Sequence, residues 1–146
     1  MKFFLIIDKN KEPSVTVVCD KVTRAVSQIE ALCKEEGTDG ALLYGYDGEE
    51  IFPLELPKIT CFFTRENKVF ARVAGKEYVT KLRIKDILEL VDDGFIKINQ
   101  GCVANVNCIQ KFTASFGGAL RVIFKDGYSD YVSRREVQSV KRRFGL

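Results

Sequence analysis

The second half of the chain is a succession of short extended segments separated by turn residues, and this pattern limits the folds that the sequence can adopt. Segments of four to six residues, rich in β-branched and aromatic side chains, are typical of β-strands. The turns Arg65-Glu66-Asn67 and Ala74-Gly75 have the spacing of tight hairpins. This half is therefore predicted to be mainly antiparallel β. The predicted strands are Ile59 to Thr64, Lys68 to Val73, Lys76 to Lys81, Phe95 to Ile98, Cys102 to Val106, Cys108 to Phe112, Leu120 to Phe124 and Ser129 to Val132.

One further strand and two short helices complete residues 41–146. Ala41 to Tyr46 predicts the strand, which leads through a turn to a loop bounded by Pro53 and Pro57. The two helices are predicted from apolar residues at helical spacing. The predicted fold class is thus mainly β with short helices, a β-rich α+β arrangement. The helical residues are Ile84, Ile87, Leu88 and Val91, stopped by Asp92-Asp93-Gly94, and then Val137, Val140 and Phe144.

The first 40 residues predict a β-β-α lead-in. Lys2 to Ile7 and Ser14 to Cys19 have the composition of two short strands joined by a polar turn. A helix follows, with Asp20 placed to cap its start and Gly37 placed to end it. Its apolar stripe is expected to pack on a sheet. The stripe consists of Val22, Ala25, Val26, Ile29, Leu32 and Cys33.

Charge is distributed unevenly along the chain. Residues 1–60 contain 7 Lys/Arg and 11 Asp/Glu, a net charge of −4, whereas residues 61–146 contain 16 and 9, a net charge of +7. Such asymmetry indicates a surface for a polyanion, and nucleic acid is the leading partner. The alternative is a solvated basic face without a specific ligand. The basic residues near predicted turns are Arg65, Lys68, Lys97, Arg134, Arg135, Lys141, Arg142 and Arg143.

Two adjacent arginines mark the start of the last helix. Arg134 and Arg135 lie between Ser133 and Glu136, which have the spacing of a helix capping box. Cations are disfavoured at a helix N-terminus because its free N–H groups already carry partial positive charge. An anion such as phosphate is therefore expected at this position. The alternative is that both arginines point into water.

The composition excludes several classes of enzyme. The chain has no histidine, so Ser-His-Asp and Cys-His catalysis and histidine-ligated metals are ruled out. Phosphate-cradling glycine loops are absent, and the paired carboxylates lie at predicted helix ends or turns. The five cysteines show no Cys-x-x-Cys spacing, and Cys33 and Cys61 lie in apolar patterns typical of buried, reduced thiols. We predict no enzymatic activity, cofactor or metal site.

Four pieces of the sequence, in order, carry a family resemblance. They are the basic hairpin after Ile59, the segment Lys81 to Leu88, the segment Phe95 to Asn105, and Asp126-Gly127 followed by Tyr131-Val132-Ser133-Arg134-Arg135. This series is similar to the LytTR DNA-binding domain. The resemblance covers residues 41–146, and residues 1–40 resemble the short lead-in of stand-alone LytTR regulators.

The resemblance implies an elongated arrangement of small antiparallel sheets that reads DNA through loops. In that family, three turns enter successive major grooves along one face of a bent duplex. The second turn here departs from the family's usual arginines, so its base preference cannot be transferred from relatives. Capping of a turn is the alternative role for both Asn99 and Asn105; it is the expected role of Asn105, whereas DNA contact is the expected role of Asn99 and Gln100. The implied DNA-binding residues are Asn67 and Lys68 in the first turn, Lys97, Asn99 and Gln100 in the second, and Arg134 and Arg135 in the third.

The sequence therefore predicts a bacterial-type transcriptional regulator that binds double-stranded DNA sequence-specifically. The resemblance further implies a homodimer on direct-repeat-like sites, and an inhibitory partner, often membrane-bound, for which the acidic lead-in is the expected surface. The longest early apolar run, Phe3 to Ile7, is too short for a signal-peptide core, and no later stretch approaches the length of a membrane span, so the protein is expected to be soluble and cytoplasmic. The alternatives are an adaptor whose basic face docks on an acidic protein, and an RNA-binding module, which the lack of an aromatic platform disfavours.

Overall fold

The computed structural model describes residues 10, 14–36 and 43–146, and the chain divides into two compact units, residues 1–40 and 41–146. The first unit contains helix α1, Arg24–Glu36, which confirms the predicted helix. The Thr23 hydroxyl accepts a hydrogen bond from the Val26 amide at 3.4 Å, so Thr23 caps the helix in place of the predicted Asp20. Gly37 lies outside the described residues.

The predicted strand Ser14 to Cys19 is wrong. These residues are irregular, and every one of them is exposed. A strand pattern gives a stable strand only when one face packs on other side chains, and the alternation of Val15 and Val17 lacks that cover here. The other predicted strand of the lead-in, Lys2 to Ile7, lies outside the described residues.

Residues 43–105 form a seven-stranded antiparallel sheet with the strand order β2-β1-β5-β4-β3-β7-β6. Helix α2, Ile84–Leu90, connects β5 to β6. Strand β2 contains Pro53, where the sequence predicted a loop. Proline is tolerated because β2 is the edge strand, so its missing N–H breaks no ladder. The strands are β1 Leu43–Asp47, β2 Glu50–Leu54, β3 Ile59–Arg65, β4 Lys68–Val73, β5 Lys76–Thr80, β6 Phe95–Asn99 and β7 Cys102–Asn105.

Two tight turns confirm the predicted hairpins. Glu66 and Asn67 connect β3 to β4 with φ angles of 51° and 62°, and Ala74 and Gly75 connect β4 to β5 with 50° and 80°. Positive φ at both central residues defines the turn type whose twist matches that of the strands. Asn and Gly adopt this conformation readily, so the local sequence sets the register of both hairpins.

The remaining residues form a second antiparallel sheet and helix α3, Val137–Phe144. Val140 is fully buried, and the Phe144 ring packs edge-on against Phe112 with a centroid distance of 4.8 Å, so the last helix buries the predicted face. The three strands are β8 Ile109–Ala114, β9 Leu120–Phe124 and β10 Ser129–Val132.

The two faces of the seven-stranded sheet contribute to separate cores. Cys61 and Phe63 of β3 face a cluster that includes Val122 of β9 and Val140 of α3. On the opposite face, Phe62 packs in a cluster with Ile87 of α2, among other residues. The large sheet is thus the central layer, with the small sheet and α3 on one side and α2 on the other.

The cysteines differ sharply in environment. Cys61 and Cys102 are fully buried, as predicted for Cys61, whereas Cys19 and Cys33 are exposed. The prediction that Cys33 is buried is therefore wrong, because helical periodicity identifies an apolar face but not whether another element covers it. A hydrogen bond with the Cys61 thiol and burial together raise the pKa of Cys102.

We expect thiol reagents to distinguish these cysteines in the folded protein. Cys19 and Cys33 should be alkylated rapidly at mildly alkaline pH. Cys61 and Cys102 should react only after unfolding, because both thiols are buried and inaccessible to the reagent. At Cys102 the raised pKa also disfavours the reactive thiolate. Peptide mass spectrometry after a timed exposure to iodoacetamide measures this, with a urea-unfolded sample as the control. Early labelling of Cys61 would contradict the described core.

None of the helices in the described residues is long and apolar enough to cross a bilayer. Within the same residues, no three acidic or cysteine side chains are grouped as a metal site requires.

Candidate nucleic-acid interface

The first turn, residues 66–67, lies between β3 and β4 at one end of the large sheet. Asn67 and Lys68 are both exposed there. Their side chains are held by no ion pair or hydrogen bond to the rest of the described protein. The structure thus places both predicted residues where a ligand can contact them.

The second turn, residues 99–101, connects β6 to β7. Gln100 is exposed and Lys97 is half-buried, but Asn99 is only 4% exposed. The Asn99 side-chain oxygen accepts a hydrogen bond from the Gly101 amide at 2.9 Å. Its amide nitrogen donates to the Tyr131 carbonyl at 2.9 Å and to the Asp130 carboxylate at 3.1 Å. Since both ends of the Asn99 amide are occupied within the protein, a base contact by Asn99 conflicts with this geometry.

The third turn, residues 133–136, follows β10 and contains both arginines, which are exposed. Helix α3 begins at Val137, and no side chain caps it, so the predicted capping box is wrong. A capping box needs the Ser133 amide to bond the Glu136 side chain, but that amide donates to the Ile98 carbonyl at 2.8 Å instead. Arg134 and Arg135 therefore lie in a turn before the helix.

Hydrogen bonds connect the three turns in series. The Thr64 amide, at the end of β3, donates to the Gly101 carbonyl at 2.8 Å and joins the first turn to the second. The Asn99 side chain and the bond between Ser133 and Ile98 join the second turn to the third. The three turns that were predicted from separate parts of the sequence thus lie side by side at one end of the large sheet.

The cations at these turns are unpaired, in contrast to the cations nearby. Across the described part of the chain, Lys68, Lys97, Arg134 and Arg135 have no carboxylate within 4 Å. An exposed cation without a partner can neutralise a ligand phosphate without first breaking an internal ion pair. The net positive charge of the second half is therefore available at the turns.

Arg65 and Arg72 behave differently because both are bound internally. Arg65 contacts Glu77 at 2.8 Å, and its guanidinium lies 4.6 Å from the Phe70 ring centroid. Arg72 contacts Glu77 at 3.1 Å and Asp126 at 2.7 Å, which links the large sheet to the turn between β9 and β10. This network and Asp130 were missed by sequence reasoning. No local signal marks Arg72 and Asp126, which are 54 residues apart.

Asn105 has the turn-capping role that the sequence predicts. Its side-chain oxygen accepts from the Asn107 amide at 3.0 Å, and its nitrogen donates to the Ile59 carbonyl at 2.8 Å. Asn105 ends β7 at the end of the strand away from the second turn. It is thus a buried asparagine comparable to Asn99 but remote from the three turns.

Comparison with known proteins decides the family. The sequence profile of the LytTr DNA-binding domain matches residues 49–145, about two thirds of the chain. The chain belongs to the LytTr DNA-binding domain family. A LytTr DNA-binding domain from Bacillus cereus superimposes with a TM-score of 0.69 at 16% identity, over 73% of this chain and 100% of that one. That likeness confirms the predicted β-rich LytTr fold.

Relatives at the sequence level come from Staphylococcus aureus. One, described as an uncharacterized HTH-type transcriptional regulator, is 26% identical over 151 residues, which span 100% of this chain and 99% of the relative. Another of the same description is 27% identical over 104 residues, 71% of each chain. The first of these matches extends beyond the LytTr domain and includes the lead-in.

Proposed function

We propose that this LytTr protein is a transcription regulator without enzymatic activity that binds double-stranded DNA sequence-specifically through its three turns. The observation that carries the proposal is the hydrogen-bonded series of turns with unpaired cations. Turns held side by side at the end of a sheet can enter the major groove, where base edges differ between all four base pairs. The family of DNA-binding domains to which the chain belongs supports the same reading.

Each turn residue receives a role from its chemistry and exposure. Gln100 and Asn67 carry exposed amides that can pair with adenine, and Arg135 can fork onto guanine. We assign Lys68, Lys97 and Arg134 to phosphates, where a cation adds affinity without reading sequence. Asn99 is removed from the predicted base contacts and becomes a positioning residue, because its amide holds the second turn to the third.

The relatives' description as helix-turn-helix regulators does not carry over to the recognition surface proposed here. Within the described residues, α1, α2 and α3 are separated from one another by strands, so none of them forms a helix-turn-helix pair. We therefore propose recognition by turns and not by a helix laid in the groove.

The proposal extends to assembly and control. We propose that the protein acts in the cytoplasm as a homodimer on direct-repeat-like sites, and that it is held inactive by an inhibitory partner that is a membrane protein. The lead-in is the surface assigned to that partner. This assignment is supported by exposed apolar side chains in the lead-in, among them Val15 at 62% and Val18 at 95% exposure.

The affinity for duplex DNA is expected to fall steeply as salt increases. With Lys68, Lys97 and Arg134 on phosphates, the slope of log K against log salt should be about 2.7 or more in magnitude. Lys97→Ala should reduce that slope by about one and weaken preferred and random DNA equally. Fluorescence anisotropy with a site selected from a random duplex library measures both quantities.

Lys76→Ala is the matched control for this experiment. Lys76 is exposed but lies across the hairpin at the far end of β4, about 17 Å from Lys68 at the usual rise per strand residue. Its removal should leave the slope unchanged. The adaptor function would be favoured instead if, at low salt, the protein bound duplex DNA no better than a neutral protein does and captured an acidic protein.

A further inference from the structure

A groove lies between helix α2 and the second turn. It has a volume of about 530 Å³ and adjoins the turn that carries Gln100. Lys97 lies on the face of β6 that points toward α2, because it pairs with Val103, which packs in the cluster with Ile87 of α2. The groove is lined by Ile84, Lys85, Leu88, Glu89, Lys97 and Gln100.

The chemistry of the groove combines an apolar floor with two cations. Leu88 is 39% exposed and Ile84 is half-buried, so both offer apolar surface to a ligand. Lys85 is exposed, and across the described part of the chain neither Lys85 nor Lys97 has a carboxylate partner within 4 Å. Lys85 in particular makes no ion pair with Glu89, one helical turn away.

A DNA backbone has the complementary chemistry. Its deoxyribose carbons present apolar surface and its phosphates present single negative charges at regular spacing. The groove is continuous with the second turn, because Gln100 belongs to both and Lys97 lies in β6, the strand that leads into the turn. A strand whose base was contacted by Gln100 would therefore have the groove beside α2 next to it.

We propose that this groove binds the sugar–phosphate backbone flanking the base pairs contacted by the second turn, and that Lys85 is a phosphate contact. The inference rests on the proposed function. Lys85 and Lys97 bind phosphates of the same strand, Leu88 packs on the intervening sugar, and Glu89, which also lines the groove, carries a charge that opposes binding. Helix α2 thereby becomes part of the DNA interface, although it enters no groove of the duplex.

The test compares Lys85→Ala with the unaltered protein by fluorescence anisotropy on preferred and random duplexes. Loss of one phosphate contact should weaken both complexes about three- to tenfold and reduce the salt slope by about 0.9. Glu89→Gln should have the opposite sign and tighten both complexes about two- to threefold, because it removes a repulsive charge at short range. Lys76→Ala provides the distant lysine control.

The outcomes separate this inference from the proposed function. Unchanged binding by Lys85→Ala, with weakened binding by Lys97→Ala, overturns the groove as a DNA site and leaves the three turns intact. Weakening by Lys85→Ala on the preferred site alone also overturns it, since a backbone contact carries no sequence preference. Absence of duplex binding by the unaltered protein refutes the proposed function itself. Because Lys85 and Glu89 are exposed, their substitution should change stability by less than about 0.5 kcal/mol, which urea denaturation checks.

Discussion

Asn99→Ala is expected to lower the free energy of unfolding by about 1–3 kcal/mol and also to reduce the preference for the selected DNA site. The substitution removes the Asn99 hydrogen bonds to the Gly101 amide and the Tyr131 carbonyl, and one of the two hydrogen bonds that the Asp130 carboxylate accepts. The second and third turns then lose the side chain that fixes their separation, so Gln100 and Arg135 no longer approach their bases together. Urea denaturation gives the stability, and anisotropy on the preferred and random duplexes gives the ratio of affinities.

Asn105→Ala separates positioning from simple destabilisation. Asn105 is 2% exposed and makes a comparable set of bonds, to the Ile59 carbonyl and from the Asn107 amide, but it lies at the other end of β7. We expect a similar loss of stability with an unchanged affinity ratio under conditions where both variants remain folded. If the two variants lose site preference equally, Asn99 contributes only to overall stability and does not position the turns.

Arg135→Ala is expected to weaken binding to the preferred site by about 1–3 kcal/mol and to have little effect on random DNA. A bidentate fork to guanine is lost only where that guanine is present. The preference at one or two base pairs should relax as a result, and a panel of duplexes with single base-pair changes measures this directly. Because Arg135 is exposed, the variant should be as stable as the unaltered protein.

Arg134→Ala is the matched control for Arg135→Ala, since the two arginines are adjacent in the same exposed turn. As a phosphate contact, Arg134 should contribute equally to the affinity for all duplexes. Its substitution should therefore weaken every complex to the same extent and reduce the salt slope. If Arg134→Ala lost site preference and Arg135→Ala weakened all duplexes equally, Arg134 would be the residue that contacts the bases. In the Asn99→Ala background the effect of Arg135→Ala should shrink, because side chains that act through one arrangement are not additive.

Local chemistry explains why much of the fold was predictable. The hairpins at residues 66–67 and 74–75 follow from turn residues and alternation within a few positions, and from Ile59 to Val132 the predicted strands agree with the observed ones within two residues. The strand order does not follow from such signals. Pairing of β3 with β7 and of β1 with β5 joins distant parts of the chain, and Ser14 to Cys19 shows that a strand pattern without a covering face is insufficient.

The location of the candidate site was predictable, but the roles within it were not. Six of the seven predicted residues lie exposed or half-buried at the three turns, where the family resemblance placed them. The fixed amide of Asn99 depends on partners 31 and 32 residues away, which spacing cannot reveal. The error at Ser133 has the same origin, because the bond to Ile98 competes with a capping box that is favourable in the local sequence alone. The DNA roles of all seven residues stay predictions.

The hydrogen bonds between the turns also have a mechanical consequence for the DNA. If DNA binds across the three turns as proposed, turns that are fastened to one another cannot spread to follow a straight duplex, and we expect the duplex to adapt its curvature to the protein. Bending a site of 20–30 base pairs by 40–90° costs of the order of 1–6 kcal/mol, and pyrimidine–purine steps such as TA or CA are the most easily bent. We therefore expect operators to favour flexible steps at base pairs between those that the turns contact, so that part of the specificity resides in the stiffness of the double helix.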